Sequence, residues 1–582
     1  MLWRMKLHQL YLSLIQHRKR AAYDFKYVFC IYLFSFIMSA VPALFLSSPQ
    51  VEDALGTMGA AAFLTGRDWG DFLVEKGFYY KYGMTLFYLP VYMCIHDPVL
   101  RYKALLITNS FLMAFIPVLI YKIGRRHLSF SDMDAACMAL ISGCMPSALL
   151  YGKLTWAEPV LFLIPWMIIH ISLELSDVSQ GACADSRCVS NSLLVGKHLF
   201  SRQNVLSAVL AWTCVYAFMC HQRGIVIVIA TVIFLIVYKM RNGRHLVCKF
   251  VFVINLIAAL CIDRVLDSWL KLYVFKGAEL KHNLLSSFLH IEIYRKMLSL
   301  HGLYTLFISL LGWLYNSAVS GLGITLLGMV LCVCCAFGIC NNRRSCSDKF
   351  KMIMLLGSLL FAGAFALGLL FFFETSFDYW NMTVVDRCDH LVFGRYLESS
   401  LPVMMYIGLY AVNSGGDVAV RVEGFEQGNR NEFESGIKEE DRNKLEYGIK
   451  KGRRLSFSIG YMVFVLMAMI TAIFTTNIAP AMRGVDCYVH SLMSMNICFD
   501  MKDVKLTQDI IPNLPMALII FGVVSCICYV ILLRLFRSGR KKAAFTVIGI
   551  IYLYIYLRSF FDILYRVDAY SLTDYAVYYL GH

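Results

Sequence analysis

Apolar runs of about 18 to 24 residues recur from one end of the chain to the other, separated by short polar stretches rich in Lys and Arg. An α-helix rises 1.5 Å per residue and satisfies its own backbone, so each run is long enough to cross about 30 Å of hydrocarbon. The pattern predicts about 13 spans, centred on 27–47, 102–121, 132–149, 159–175, 204–220, 224–240, 247–264, 321–340, 351–372, 397–413, 455–475, 512–533 and 543–560. The runs are continuous and do not alternate over ten-residue segments, which excludes a β-barrel. The predicted fold class is an all-α polytopic membrane protein.

Charge orients the spans. Lys and Arg are dense in 1–26, 122–127, 176–203, 239–245, 341–351, 414–454 and 534–542, which together hold well over half of the 54 basic residues. Basic residues concentrate in cytoplasmic loops, so these segments read as cytoplasmic and the chain runs from a cytoplasmic N-terminus to an external C-terminus. The first span, Lys26 to Leu46, follows the basic tract HRKR at 17–20 and is too long for the core of a cleaved signal, so it is expected to be retained. Reading 84–95 as a surface helix and not as a span keeps GRRH (124–127) inside. Residues 49–100 then form one external loop carrying two or three helices in the membrane interface. The chain divides into a basic N-terminus (1–26), a transmembrane module (27–264), a second transmembrane region (265–413) with an external loop at 372–396, a hydrophilic cytoplasmic linker (414–454) and a C-terminal transmembrane region (455–582).

Composition agrees: 59% of the 582 residues are hydrophobic and 16% charged, against about 25% charged in soluble proteins. The net charge of +15 is accounted for by topology and does not indicate nucleic acid. Most of the 20 cysteines lie inside apolar runs, and none shows zinc-ligand spacing. Cys487 and Cys498 are the exception, since both fall in one predicted external loop, where a disulfide between them is one option.

Polar residues of mixed type collect at predicted external helix ends: Glu52, Asp53, Asp68, Arg101, KLTWAEP (153–159), HQRG (221–224) and VVDRCDHLVFGRYLES (384–399). Each alone has an ordinary structural reading. An acid at a helix start favours the dipole, as for Glu52, Asp53 or Glu158, and Tyr or Arg anchors an interface, as for Arg395 and Tyr396. Trp313 and Tyr315 read as belt residues, His290 and His301 as surface residues. Arg223 in a tight external turn runs against the charge bias and favours function. Together, carboxylates and cations on one membrane face suit transfer from a phosphate leaving group. A carboxylate takes the proton of an acceptor hydroxyl while Arg holds the phosphate. Arg101, His221, Arg223, Arg395 and Arg387 are the candidate phosphate ligands.

The acidic pair after the first span, followed by AAFLTGRDW (61–69), GFYYKYGMTLFYLP (77–90) and DPVLRYKALLITN (97–109), resembles the GT-C glycosyltransferases. Within them it is most similar to bacterial members related to protein O-mannosyltransferases and lipid A aminoarabinose transferases. HQRG and RCDHLVFGRYLE (387–398) are similar to later segments of that superfamily. The resemblance covers about 27–240 and 380–402 and rests on degenerate motifs. It implies a GT-C fold, a multi-pass protein of the plasma membrane of a bacterial cell envelope, an external active site and a polyprenyl-phosphate sugar donor. The acceptor would be an envelope glycan, lipid or protein, and the reaction inverting. Asp53 matches the family's general base, with Glu52 the alternative because the order of the pair is reversed here. Glu158 resembles a second acid that binds a metal or the acceptor in some relatives, so a divalent metal is one option and no cofactor is assigned. Arg101 resembles an Arg on the donor phosphate. Asp68, Tyr80, Lys153, Asp389, Tyr396 and Glu398 complete the candidate substrate contacts. A transporter or flippase of lipid-linked sugars is the rival reading, but it would place ionisable residues near the bilayer midplane.

Overall fold

The computed structural model describes residues 25–49, 53–77, 79–185, 201–278, 291–336, 347–380, 394–413, 514–570 and 574–581, and among them the regular structure is helical without a strand. The first span is α1 (Phe25–Ala43). It is followed by α2 (Asp53–Leu64), α3 (Gly70–Lys76), α4 (Thr85–Cys94), α5 (Pro98–His127), α6 (Asp132–Gly143), α7 (Pro146–Tyr151), α8 (Glu158–Asp185), α9 (Arg202–Cys220), α10 (Ile225–Asn242) and α11 (Lys249–Tyr273). The later helices are α12 (Leu300–Ser320), α13 (Ile324–Ala336), α14 (Asp348–Phe371), α15 (Leu401–Asn413), α16 (Leu514–Arg537), α17 (Lys541–Tyr570) and α18 (Asp574–Gly581).

Among the described residues eight helical segments are long and apolar enough to cross a membrane: Phe25–Ala43, Pro98–His127, Glu158–Ser179, Arg202–Cys220, Gln222–Asn242, Leu300–Ser320, Asp348–Phe371 and Lys541–Phe561. The chain is an all-α polytopic membrane protein. Local chemistry sets the starts. The side chains of Ser131, Ser201, Ser299 and Ser347 cap α6, α9, α12 and α14 by accepting from backbone N–H groups of the first turn. Asp97 caps α5 in the same way, with Pro98 in the first turn where a missing N–H costs nothing.

Helix α8 is central. Its most apolar stretch is 83% buried, against 28% for α1, whose Phe29, Leu33, Phe34 and Ile37 stay exposed on an apolar face suited to lipid. Helices α5, α9 and α14 pack around α8.

Four expectations are revised. The predicted span 132–149 is two helices broken ahead of Pro146, whose ring cannot continue the ladder. Arg125 pairs with Asp132 at the start of the first helix, and the Tyr151 ring at the end of the second meets Trp156 and Phe162. Leu300–Ser320 is an additional candidate span whose interior polar residues dilute its hydropathy. Within it Trp313 and Tyr315 are fully buried and are not belt residues, while His301 is only partly buried, against Phe377. The predicted 397–413 span is the shorter α15, with 13 residues. Helix α2 does not lie on a surface: residues 54–62 are all buried, because a run of Ala, Gly and Thr packs as closely inside as it would lie outside. The linker 414–454, the predicted span 455–475, His290, Cys487 and Cys498 lie outside the described residues.

Candidate functional site

Three chain segments converge on Glu158, the first residue of α8. Its Oε1 accepts from the Arg223 guanidinium and, at 3.1 Å, from Arg395 Nε. All three side chains are largely shielded, with exposures of 2% for Glu158, 7% for Arg223 and 12% for Arg395. Each guanidinium also lies on an aromatic face, Arg223 4.6 Å from the Tyr396 ring centroid and Arg395 3.6 Å from that of Trp156. Stacking fixes the plane of each fork, and the shared carboxylate offsets the charge of two buried cations. Glu158 Oε2 and Arg223 Nε are buried and make no hydrogen bond with the described residues. An acceptor and a charged donor are thus left at the centre of the cluster.

Tight backbone places these groups. Arg223 sits in the 3₁₀ turn Gln222–Gly224 between α9 and α10, where His221 Nδ1 accepts from the Arg223 N–H at 3.1 Å. A Cβ on Gly224 would fall 2.2 Å from the carbonyl carbon of Ala217, so only glycine lets α10 fold back so sharply. Burial, reinforced by Arg223 and Arg395, holds the His221 imidazole well below its ordinary value. It is therefore a neutral ring, and not the cation expected from the sequence. Arg395, Tyr396 and Glu398 come from the short helix Arg395–Glu398 ahead of α15; Glu398 is fully buried and hydrogen-bonded to Tyr151.

The segment at 79–83 borders this turn. The Tyr80 ring meets His221 edge-on at 6.1 Å. The Gly83 N–H donates to the Met219 carbonyl at 2.8 Å, and the Tyr216 hydroxyl donates to the Gly83 carbonyl at 2.8 Å. A Cβ on Gly83 would lie 2.6 Å from the backbone of Cys220, which explains glycine there. The loop carrying Glu158 also touches the start of α2, since Thr155 Oγ1 donates to the Ala54 carbonyl at 3.4 Å. The backbone next to Asp53 therefore borders that loop. The Asp53 side chain, Glu52, Arg387 and Asp389 lie outside the described residues.

Other predicted residues make their contacts elsewhere. Arg101 is buried between Tyr92 and Tyr579, 4.8 and 5.4 Å from their ring centroids, with its Nε 3.4 Å from the Tyr579 hydroxyl. Asp68 is a half-exposed partner of Lys276 at 3.2 Å, and the Gly70 N–H it accepts, ahead of Lys276, holds its carboxyl below the ordinary value. Lys153 is fully buried, its Nζ donating to the Ser39 carbonyl and, at 2.9 Å, to Ser39 Oγ.

Along one side of the Glu158 cluster runs a cleft between spanning helices. Leu161 and Pro165 of α8, Val226 and Ile227 of α10, and Leu360, Ala364 and Leu367 of α14 form its apolar walls, with Arg223, Tyr396, Ser399 and Ser400 supplying its polar lining. Sequence reasoning found both guanidiniums and the carboxylate but not Trp156 and Tyr151, which had no signal beyond lying near Glu158. No family model, curated protein or solved structure matches this chain.

Proposed function

We propose that the protein is an integral-membrane glycosyltransferase of GT-C type that moves a sugar from a polyprenyl-phosphate donor to an acceptor hydroxyl on the external face of the plasma membrane. The single observation that carries this reading is the position of the Arg223–Glu158–Arg395 cluster beside an apolar cleft between spanning helices. An apolar chain and an anionic head are the two parts of a lipid phosphate. Guanidiniums locked on aromatic faces suit the second, and a cleft lined by Leu, Ile, Val and Pro suits the first.

In the proposed step the acceptor oxygen attacks the anomeric carbon with inversion. The bond from that carbon to the phosphate oxygen breaks, and polyprenyl phosphate leaves with the electron pair. Arg223 and Arg395 stabilise the charge growing on the phosphate. A carboxylate takes the acceptor proton; Asp53 is the first choice, and Glu52 the second. Glu158, held by two guanidiniums, orients them and keeps its second oxygen for the acceptor. The location of charge also favours an enzyme over a transporter, since this cluster sits at helix ends and not in mid-span.

The test is incubation of the purified protein with a panel of polyprenyl-phosphate sugars, scoring release of polyprenyl phosphate. Arg223→Ala and Arg395→Ala should each weaken donor binding by about 1.5–3 kcal/mol, roughly tenfold to 150-fold, and Lys should rescue poorly because it cannot reproduce the planar fork. Wild-type donor affinity in both Ala variants would remove the phosphate site from this cluster. A donor that is bound but never consumed would replace the transferase with a transporter of lipid-linked sugars.

A further inference from the structure

We propose that His127, His170 and Glu174 form a binding site for a divalent transition-metal ion, zinc in the first instance, at the end of α8 remote from Glu158. Glu174 lies sixteen residues along α8 from Glu158, about 24 Å at helical rise. The proposal is therefore independent of the transferase reading.

His170 and Glu174 are one turn apart on α8 and share a face. His127 is the last residue of α5, which packs on α8. One ligand atom from each of the three lies within 4.8 Å of the others. A tetrahedral ion with bonds of about 2.0 Å holds its ligand atoms about 3.3 Å apart. His127 Nε2 and Glu174 Oε1 are already at 3.4 Å, and the His170 ligand atom lies within 4.8 Å of both. The His127 side chain is 0% exposed and that of Glu174 6%. His127 Nε2 and His170 Nδ1 are buried and make no hydrogen bond with the described residues.

A second observation points the same way. The other ring nitrogen of His127, Nδ1, lies 3.2 Å from Asp177 Oδ2. Metal-bound histidines usually give their second N–H to a carboxylate, which fixes the tautomer that presents the free nitrogen to the ion. Lys349 Nζ, 2.6 Å from Asp177 Oδ1 and 3.4 Å from His127 Nδ1, holds that carboxylate in turn.

Two cations compete for the site. Arg126 is 2.9 Å from Glu174 Oε1 and Arg202 2.5 Å from Oε2. Both side chains are more than half exposed, at 55% and 61%, so their pairing is weak and either can swing into water. Two neutral imidazoles and one carboxylate form an N,N,O set that suits zinc and leaves a coordination position open. His170 is only partly buried, which gives the ion a way in.

The test uses the full chain in detergent or nanodiscs, stripped of metal and titrated with Zn²⁺ and with Co²⁺ as a spectroscopic probe. Wild type should bind one equivalent, gain thermal stability and give Co²⁺ d–d bands. His170→Ala and Glu174→Gln should each weaken Zn²⁺ by more than the about 10- to 100-fold expected for an outer partner, and Asp177→Asn by about that factor. Arg202→Ala, a change at a side chain 61% exposed, should tighten Zn²⁺ by removing a competing cation. No Zn²⁺ bound by wild type, affinity unmoved by His170→Ala, or weaker binding in Arg202→Ala would each show an ion-pair network only and overturn the site.

Discussion

Asp53 opens α2 beside the loop that carries Glu158, joined to it by the Thr155 bond to the Ala54 carbonyl. In the proposed step a base at this position would contribute the part that proton removal adds to positioning, typically about 10²- to 10⁴-fold. Asp53→Asn keeps the size and is expected to cut turnover by about that factor while leaving donor affinity nearly unchanged, read by single-turnover kinetics beside a donor-binding assay. Loss of turnover in Glu52→Gln with an active Asp53→Asn would move the base by one residue. Lys153 makes a different residue-scale prediction. Burial holds its amine down to about 7, against 10.5 ordinarily. Between those values the unfolded chain binds the extra proton, so stability rises as pH climbs from about 7 to 10.5, and below 7 the full cost of a buried charge applies. Lys153→Met should therefore raise Tm most at pH 6 and least at pH 10. A lower Tm for the Met variant at pH 6 would mean that the amine is charged and paired. The sequence flagged Arg223 through the oddity of an Arg in a tight turn, and Glu158 and Arg395 through their company. It could not tell that Arg101 and Asp68 belong to other contacts, because that depends on which helix ends the fold brings together.

At the scale of elements, the clearest feature absent from the sequence reading is the clasp between the segment at 79–82 and α11. Lys81 Nζ lies 2.7 and 2.8 Å from the two Asp263 oxygens and 3.6 Å from the Phe218 ring centroid. The Tyr82 hydroxyl donates to Asp263 at 3.0 Å, while Tyr79 and Lys271 hold Asp267. The two acids sit near the end of an apolar run and read locally as a helix terminus. Apart from Lys271, one turn from Asp267, their partners Tyr79, Lys81 and Tyr82 are more than 180 residues away, beyond any periodicity. Removing one member of a buried pair strands the other, so Asp263→Asn should cost about 3–5 kcal/mol of stability, whereas Lys81→Met with Asp263→Leu should recover most of it. Thermal unfolding of the two singles and the double measures this, and equal losses in all three would show packing rather than charge to be what the clasp supplies. The same reasoning explains the broken 132–149 span. Hydropathy registers the apolar run but not the geometry at Pro146 that divides it.

For the whole molecule, the two ends of α8 carry different chemistry. At the Glu158 end acids, arginines and aromatics enclose one another. At the other end, Arg125, Arg126, Arg202 and Lys349 pair with Asp132, Glu174 and Asp177. Hydropathy was enough to read a helical membrane bundle, because a long apolar run has one stable form in lipid. The assembly of the Glu158 cluster was not legible, since it is made by contacts 65 and 237 residues apart in sequence. Orientation is the remaining whole-molecule quantity, and basic-residue bias predicts it: the Glu158 end outside, the Glu174 end inside. In a background without reactive native cysteines, Glu75→Cys on the exposed face of α3 should react with a membrane-impermeant maleimide in intact cells. Ser538→Cys in the exposed turn between α16 and α17, and a cysteine placed within 414–454, should react only after permeabilisation. The opposite pattern would turn the molecule over. The arginine pair would then face the cytoplasm, where nucleotide sugars and not only lipid-linked ones are at hand, and the case for a polyprenyl-phosphate donor would rest on the apolar cleft alone.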